Sequence, residues 1–258
     1  MLKAKKSYGQ HFLTQEPIAE RIAQSLTRTD EYEAQVLEVG PGKGMLTKHL
    51  LAQNYNLLCV EADRDMVDFL NKQYPKMLKG RVIDADFMKI PLEDYYSGQF
   101  AIIGNFPYNI SSQIIFKAID YRAQVVEVVG MFQHEMAVRV CAKPGGKDYG
   151  VITVLAQAYY DCEYLFEVHH SAFSPPPRVE SAVIRLTRKP VLEIDCDATL
   201  FKTVVKLAFG QRRKMLRNTM RSLIDNDEVL QEPFFNERPE QLSVQQFIDL
   251  TNRIVALR

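Results

Sequence analysis

Short apolar runs recur through the first part of the chain, and each stops at a glycine, a proline or an acid. Val36-Leu37-Glu38-Val39 stops at Gly40, Leu57-Leu58-Cys59-Val60 at Glu61, and Ala101-Ile102-Ile103 at Gly104; Val125 to Phe132 is almost continuously apolar. Runs too short for helices and bounded in this way read as strands buried on both faces, the parallel kind. Arg81 to Phe87 adds a further strand ending in acids, and Asp161 to His169 and Ala182 to Leu186 add two more. Between them the apolar spacing turns helical. Residues 18, 19, 22, 23 and 26 form one stripe behind Pro17, a second helix follows the glycine loop to about Ala52, and a third runs from a cap at Asp63 or Asp65 to Tyr74. A helix capped by Ser111 or Ser112 and helices over Glu135 to Cys141 and Gly150 to Tyr160 complete the pattern. Strands alternating with helices predict a mostly parallel, three-layer α/β domain.

The pattern changes after Pro190. Residues 198–224 and 228–258 are helical in spacing, with Pro233, Pro239 and Ser243 at turns and caps, so the expected division is an α/β domain over 1–189 and a small α-helical domain over 190–258. Lys202, Lys206, Arg212, Arg213, Lys214, Arg217 and Arg221 lie in a stretch that holds no acid from 198 to 224. Lys+Arg and Asp+Glu balance at 32 each, so net charge points to no partner. A local basic cluster in a neutral chain points instead to phosphate contacts and a nucleic acid.

Met1 to Lys6 is a basic arm, and the Gly9-Gln10-His11-Phe12-Leu13 behind it is too aromatic for a simple tail and is expected to fold back over something. The four cysteines are scattered without a C-x-x-C pair, which suits reduced thiols and argues against a disulfide framework or a zinc site. His169-His170 reads as a loop pair without metal-ligand spacing, so no metal is expected. No apolar run reaches transmembrane length and no signal core follows the basic start. The expectation is a soluble, cytoplasmic monomer.

Chemistry is expected where the strands end, because ligands of open α/β sheets bind there. Glu61 stands 21 positions after Gly40, the offset at which such domains place a carboxylate on ribose hydroxyls. Asp86 reads either as a turn cap or as an acceptor for the amine of a cofactor base. The corner Asn105-Phe106-Pro107-Tyr108 offers a side-chain carbonyl, a main-chain carbonyl aimed by the following proline, and a flat π-face. Two acceptors and a stacking surface are what the exocyclic amine of an aromatic base requires.

Five motifs fall in one order: Gly9-Gln10-His11-Phe12-Leu13, Val39-Gly40-Pro41-Gly42, Asn105-Phe106-Pro107-Tyr108-Asn109-Ile110-Ser111, the stretch Ala172 to Val183 with Phe173 and the prolines 175–177, and Phe209-Gly210-Gln211-Arg212-Arg213-Lys214. Together they resemble the ribosomal RNA adenine dimethyltransferases over nearly the whole chain, with the small-subunit branch the nearest. The resemblance implies a Rossmann-like class I fold with an antiparallel last hairpin and S-adenosyl-L-methionine as methyl donor. It implies dimethylation of N6 on two adjacent adenosines in the 3′-terminal hairpin loop of small-subunit RNA, carried by an immature subunit. By position, His11, Leu13, Gly40, Glu61, Asp86 and Asn105 would bind the donor. Asn105, Phe106, Pro107 and Tyr108 would act on the target base, Tyr108 and Phe173 would sandwich it, and Arg212, Arg213 and Lys214 would hold RNA. His11 stands where the family usually has Asn or Asp, and Phe106 where it often has Leu. The alternatives are a resistance-type methyltransferase of large-subunit RNA, a DNA adenine methyltransferase, and a non-catalytic ribosome assembly factor. The proline-rich motif and the basic helical tail favour the small-subunit enzyme.

Overall fold

The computed structural model describes residues 5, 9–27 and 33–257. Most of the basic arm therefore lies outside the described residues. The strands and helices are β1 (Phe12–Leu13), α1 (Glu16–Ala23), β2 (Gln35–Val39), α2 (Thr47–Ala52), β3 (Asn56–Glu61), α3 (Arg64–Gln73), β4 (Val82–Asp84), β5 (Phe100–Asn105), α4 (Ser111–Asp120), β6 (Val125–Gln133), α5 (His134–Val140), α6 (Val151–Tyr159), β7 (Tyr160–Val168), β8 (Phe173–Ser174), β9 (Ser181–Arg188), α7 (Ala198–Gly210), α8 (Leu216–Thr219), α9 (Asp227–Leu230) and α10 (Val244–Ala256).

The chain divides into two compact units. The first is Met1–Ala137 with Asp161–Arg188, and the second is Val138–Tyr160 with Lys189–Arg258. This departs from the division read in the sequence: the segment Val138–Tyr160, expected in the sheet domain, packs with the C-terminal helices. Periodicity reported that α6 is a helix but could not report its neighbours, because its partners α7 and α10 lie far along the chain.

In the first unit seven strands form one sheet in the order β4-β3-β2-β5-β6-β9-β7. β2, β3, β4, β5 and β6 pair in parallel, and β9 returns antiparallel to β6 with Met131 opposite Val183. The antiparallel return expected from the resemblance is present. Every side chain of β5 up to Gly104 and of β6 up to Phe132 is buried, so both faces of the central strands are covered. Asp63 caps α3, its side chain accepting from the Asp65 N–H at 3.1 Å. At α4 the expected serine cap is replaced: the cap position is Ile110, and Ser111 turns its hydroxyl back to the Tyr108 carbonyl.

β1 pairs with β8 across more than 150 residues, Leu13 opposite Phe173 and Phe12 opposite Ser174. This ladder is how the Gly9–Leu13 motif folds back. A second tie holds it from the other side. Lys5 Nζ lies 2.6 Å from Asp63 Oδ1 and 2.7 Å from Asp65 Oδ2, and Gln10 Nε2 donates to Asp63 Oδ2 at 3.0 Å.

The second unit is built on α6, α7 and α10. Tyr149, Phe201, Val204, Val205, Phe235, Phe247 and Ile254 are buried in it. Asp197 caps α7, and Ser243 with Gln246 forms a capping box at α10. α7 stops at Gly210, the break expected from the sequence, and the basic residues that follow lie on a turn before α8. Among the described residues no helix is long and apolar enough to cross a membrane.

Candidate active site

The ends of β2, β3 and β5 and the turn after β4 open on a cavity of about 300 Å³. It is lined by His11, Leu13, Gly40, Glu61, Asp86, Asn105, Phe106, Pro107 and Tyr108, so nine of the expected site residues meet in one place. Gly40 leaves β2 with φ +68°, a left-handed turn that suits glycine. Its bare backbone forms one side of the cavity.

Glu61 is 6% exposed and binds its own surroundings with both oxygens, accepting from Gly42 N–H at 3.0 Å and from Asp63 N–H at 2.9 Å. Burial pushes its carboxyl above the usual range, and those backbone donors pull it partly back. Each oxygen keeps further acceptor capacity toward the cavity. Of the two readings left open by the sequence, the turn cap is present: Asp86 Oδ1 accepts from Met88 N–H at 2.9 Å, and the residue also lines the cavity.

Asn105 is oriented by its neighbours. Its Nδ2 donates to the His11 carbonyl at 2.9 Å. A carbonyl can only accept, so the amide nitrogen must face His11 and Oδ1 must face the other way. Phe106 is 1% exposed, its ring edge-on to Phe132 at 5.1 Å and laid across Gly130. Tyr108 hydrogen-bonds Ser181 through its hydroxyl, and burial raises its pKa. The imidazole of His11 stacks on Tyr108, with centroids 5.4 Å apart and planes 27° from parallel. His11 Nδ1–H donates to the Pro175 carbonyl at 2.8 Å.

Two of the expected residues have other surroundings than the sequence suggested. Phe173 is not among the residues that line the cavity. It is 4% exposed, paired with Leu13 in the β1–β8 ladder and part of the buried core that also holds Ile22, Met131 and Val183. Arg212 is engaged inside the helical unit, donating to the Gly146 carbonyl at 2.9 Å with Glu240 3.9 Å away, whereas Arg213 and Lys214 are exposed. None of these three cations lines the cavity.

Sequence reasoning passed over two buried charged residues, one in the cavity wall and one beneath the turn that carries Asp86. Glu38, in the middle of β2, is 1% exposed and lines the cavity. Thr47 Oγ1 donates to its Oε2 at 2.7 Å, and burial raises its carboxyl to about 7 against an ordinary 4.5. An acid inside an apolar strand was the available signal. Between pH 4.5 and 7 this group binds more protons folded than unfolded. The stability it contributes is present in full below 4.5 and lost as pH rises through about 7, on the order of 3 kcal/mol. Glu38→Gln is expected to flatten that slope and raise the Tm at pH 8; melting curves from pH 4 to 8 check it, and an unchanged slope would contradict it.

Lys117 is the other. It is 8% exposed, yet its ammonium donates to the carbonyls of Phe87, at 2.6 Å, and of Ile90, and burial lowers its pKa. It holds the turn that carries Asp86. Lys117→Met takes the donor from two carbonyls, a loss of roughly 1–3 kcal/mol. Urea unfolding should show that loss, and donor titration should show weaker binding.

The family model described as ribosomal RNA adenine dimethylase matches residues 1–255. The chain belongs to the ribosomal RNA adenine dimethylase family. Curated relatives named ribosomal RNA small subunit methyltransferase A are 51% identical in Parabacteroides distasonis, covering 97% of this chain and 94% of that protein, and 51% identical in Flavobacterium johnsoniae, covering 99% and 97%. The dimethyladenosine transferase of Plasmodium falciparum has the same fold, with a TM-score of 0.77 at 22% identity over 95% of this chain and 98% of that one. The 23S rRNA methyltransferase ErmE superposes with a TM-score of 0.66 at 24% identity over 93% and 99%. The sheet is that of the class I methyltransferases. Membership makes the chain an S-adenosyl-L-methionine-dependent rRNA adenine dimethyltransferase, with ribosomal RNA as its partner.

Proposed function

We propose that this dimethyladenosine transferase methylates N6 of two adjacent adenosines in the 3′-terminal hairpin loop of small-subunit RNA. In this reading it acts in the cytoplasm, as a monomer, on an immature subunit. The observation that carries the reading is the fixed Asn105 amide. With Nδ2 held by the His11 carbonyl, Oδ1 of Asn105 is turned the other way, and Asn105 and Phe106 both line a cavity that also holds Glu38, Glu61 and Asp86.

The cavity suits the donor. The bare glycine turn would admit its methionine part, Glu61 would accept from ribose hydroxyls, Asp86 would accept from the adenine amine, and His11, Leu13 and Asn105 would complete the pocket. When bound, S-adenosyl-L-methionine supplies a methyl group already activated by its sulfonium charge, so no metal or acid is required. The chain's task is to hold a poorly nucleophilic amine. Oδ1 of Asn105 and the Phe106 carbonyl each take one N6 hydrogen, which draws the nitrogen lone pair out of the ring and aims it. Tyr108 stacks the base, worth roughly 1–3 kcal/mol, against a similar cost of extruding it from RNA. The His11 ring, which covers that face here, turns aside as the base enters. Positioning is the main catalytic term, and the methylated nitrogen sheds its proton to water. Arg213 and Lys214 bind phosphates.

Transfer of labelled methyl groups to small subunits isolated before methylation, to large subunits and to DNA tests the proposal. Incorporation confined to small subunits is expected, greater on immature than on mature particles. Labelling of large subunits or of DNA instead would overturn it.

A further inference from the structure

Outside the cavity, one cluster of side chains has a geometry that methyl transfer leaves unexplained. His169 and His170 enter a loop that leaves through Glu180, and the fold brings both imidazoles to the same carboxylate oxygen. His169 Nε2 lies 3.6 Å and His170 Nε2 3.8 Å from Glu180 Oε1, and the two ring centroids are 4.1 Å apart. All three ligand atoms lie within 4.8 Å of one another.

These separations are too long for hydrogen bonds, which hold N and O at about 2.7–3.2 Å. They are close to the spacing of ligands around an ion: at bonds of about 2.0–2.1 Å, two tetrahedral zinc ligands stand about 3.3 Å apart. A small rotation of either imidazole closes the difference, and both are free to make it, with side chains 66% and 45% exposed. The surrounding contacts hold the three groups in place. Glu180 Oε2 already accepts from the His170 N–H at 2.6 Å, which leaves Oε1 to the cluster. His169 Nδ1 accepts from the Ser171 N–H at 3.3 Å and lies 2.8 Å from the Ser171 hydroxyl, contacts that hold the ring beside Glu180.

We propose that His169, His170 and Glu180 form a binding site for one divalent transition-metal ion of the zinc type. Two imidazoles and a carboxylate suit that class, and water completes the coordination. None of the three lines the cavity, so the site is distinct from the methyl-transfer centre. Its effect is mechanical. The ion ties the start of the loop to its end, and that loop carries Phe173 into the β1–β8 ladder and Pro175 to His11. Bound metal therefore fixes the rim of the target site.

Cobalt(II) titration of the full chain, freed of metal by chelation, tests the site. Visible d–d bands saturating at one equivalent are expected, without the near-ultraviolet bands of thiolate ligation. His169→Gln, His170→Gln and Glu180→Gln should each weaken binding at least tenfold, and zinc should raise the Tm of the unsubstituted chain alone. The two histidine variants alter exposed side chains and should fold normally. No saturable signal, thiolate bands, or equal binding by the histidine variants would overturn the proposal.

Discussion

Asn105→Ala is expected to lower the rate of methyl transfer by about 10²–10³-fold, the usual scale for losing one preorganised hydrogen-bonding group at a reacting centre. The fall should appear in kcat far more than in donor affinity, because Glu61, Asp86 and the Gly40 turn remain. Asn105→Asp separates orientation from mere presence of an acceptor. Aspartate keeps an oxygen for the amine but loses the Nδ2 donor that meets the His11 carbonyl at 2.9 Å. Two acceptors then face each other at hydrogen-bond distance, and the carboxylate must turn away. A loss comparable to that of the alanine variant is expected, together with faster amide exchange in Gly9–Leu13. Single-turnover rates at saturating donor measure the first effect, and hydrogen exchange the second. A fully active Asn105→Asp would show that the orientation of the amide does not matter.

Gly130→Ala should be strongly damaging although it adds a single methyl group. A Cβ at Gly130 would lie 2.0 Å from Cε2 and 2.6 Å from Cδ2 of Phe106. Phe106 cannot move aside, since it is 1% exposed and wedged against Phe132. Overpacking of this kind costs roughly 1–3 kcal/mol and sometimes more. Any accommodation shifts the main chain of Phe106, whose carbonyl is one of the two acceptors proposed for the target amine. A displacement of about 1 Å at such a group can cost 10²-fold in rate, so activity should fall even at temperatures where the variant stays folded. Gly210→Ala is the control: nothing lies within 4 Å of that Cβ, at the end of α7, and its stability should be unchanged or slightly raised. Urea unfolding with parallel rate measurements compares the two. Equal stability and equal rates would contradict the packing described for Phe106.

The contrast between these glycines shows what the sequence could convey. The strands were legible because their apolar runs stop abruptly. The cavity was legible because Gly40, Glu61, Asp86 and Asn105 stand at strand ends, where topology alone brings them together. Phe173 was misplaced because its surroundings are set by pairing with Leu13, a contact 160 positions away that leaves no local trace. Arg212 looked like its basic neighbours until Gly146 and Glu240 were brought beside it. His169-His170 reads as a loop pair and stands at the start of a loop, and Glu180, the third group of the proposed metal site, arrives from the far end of a proline-rich excursion. Glu38 and Lys117 are charges in apolar surroundings. Their spacing marked them as exceptions, but only the positions of Thr47 and of the Phe87 and Ile90 carbonyls say what holds them.

The most direct test of the central claim is mass spectrometry of nuclease-digested small-subunit RNA. Subunits isolated without these methyl groups would be incubated with donor and either the natural chain or Asn105→Ala. Two adjacent N6,N6-dimethyladenosines in the 3′-terminal fragment with the natural chain, and unmodified adenosines with the variant, is the result expected. Unmodified RNA with both proteins, or equal dimethylation by both, would contradict the assignment of the Asn105-Phe106-Pro107-Tyr108 corner as the catalytic centre.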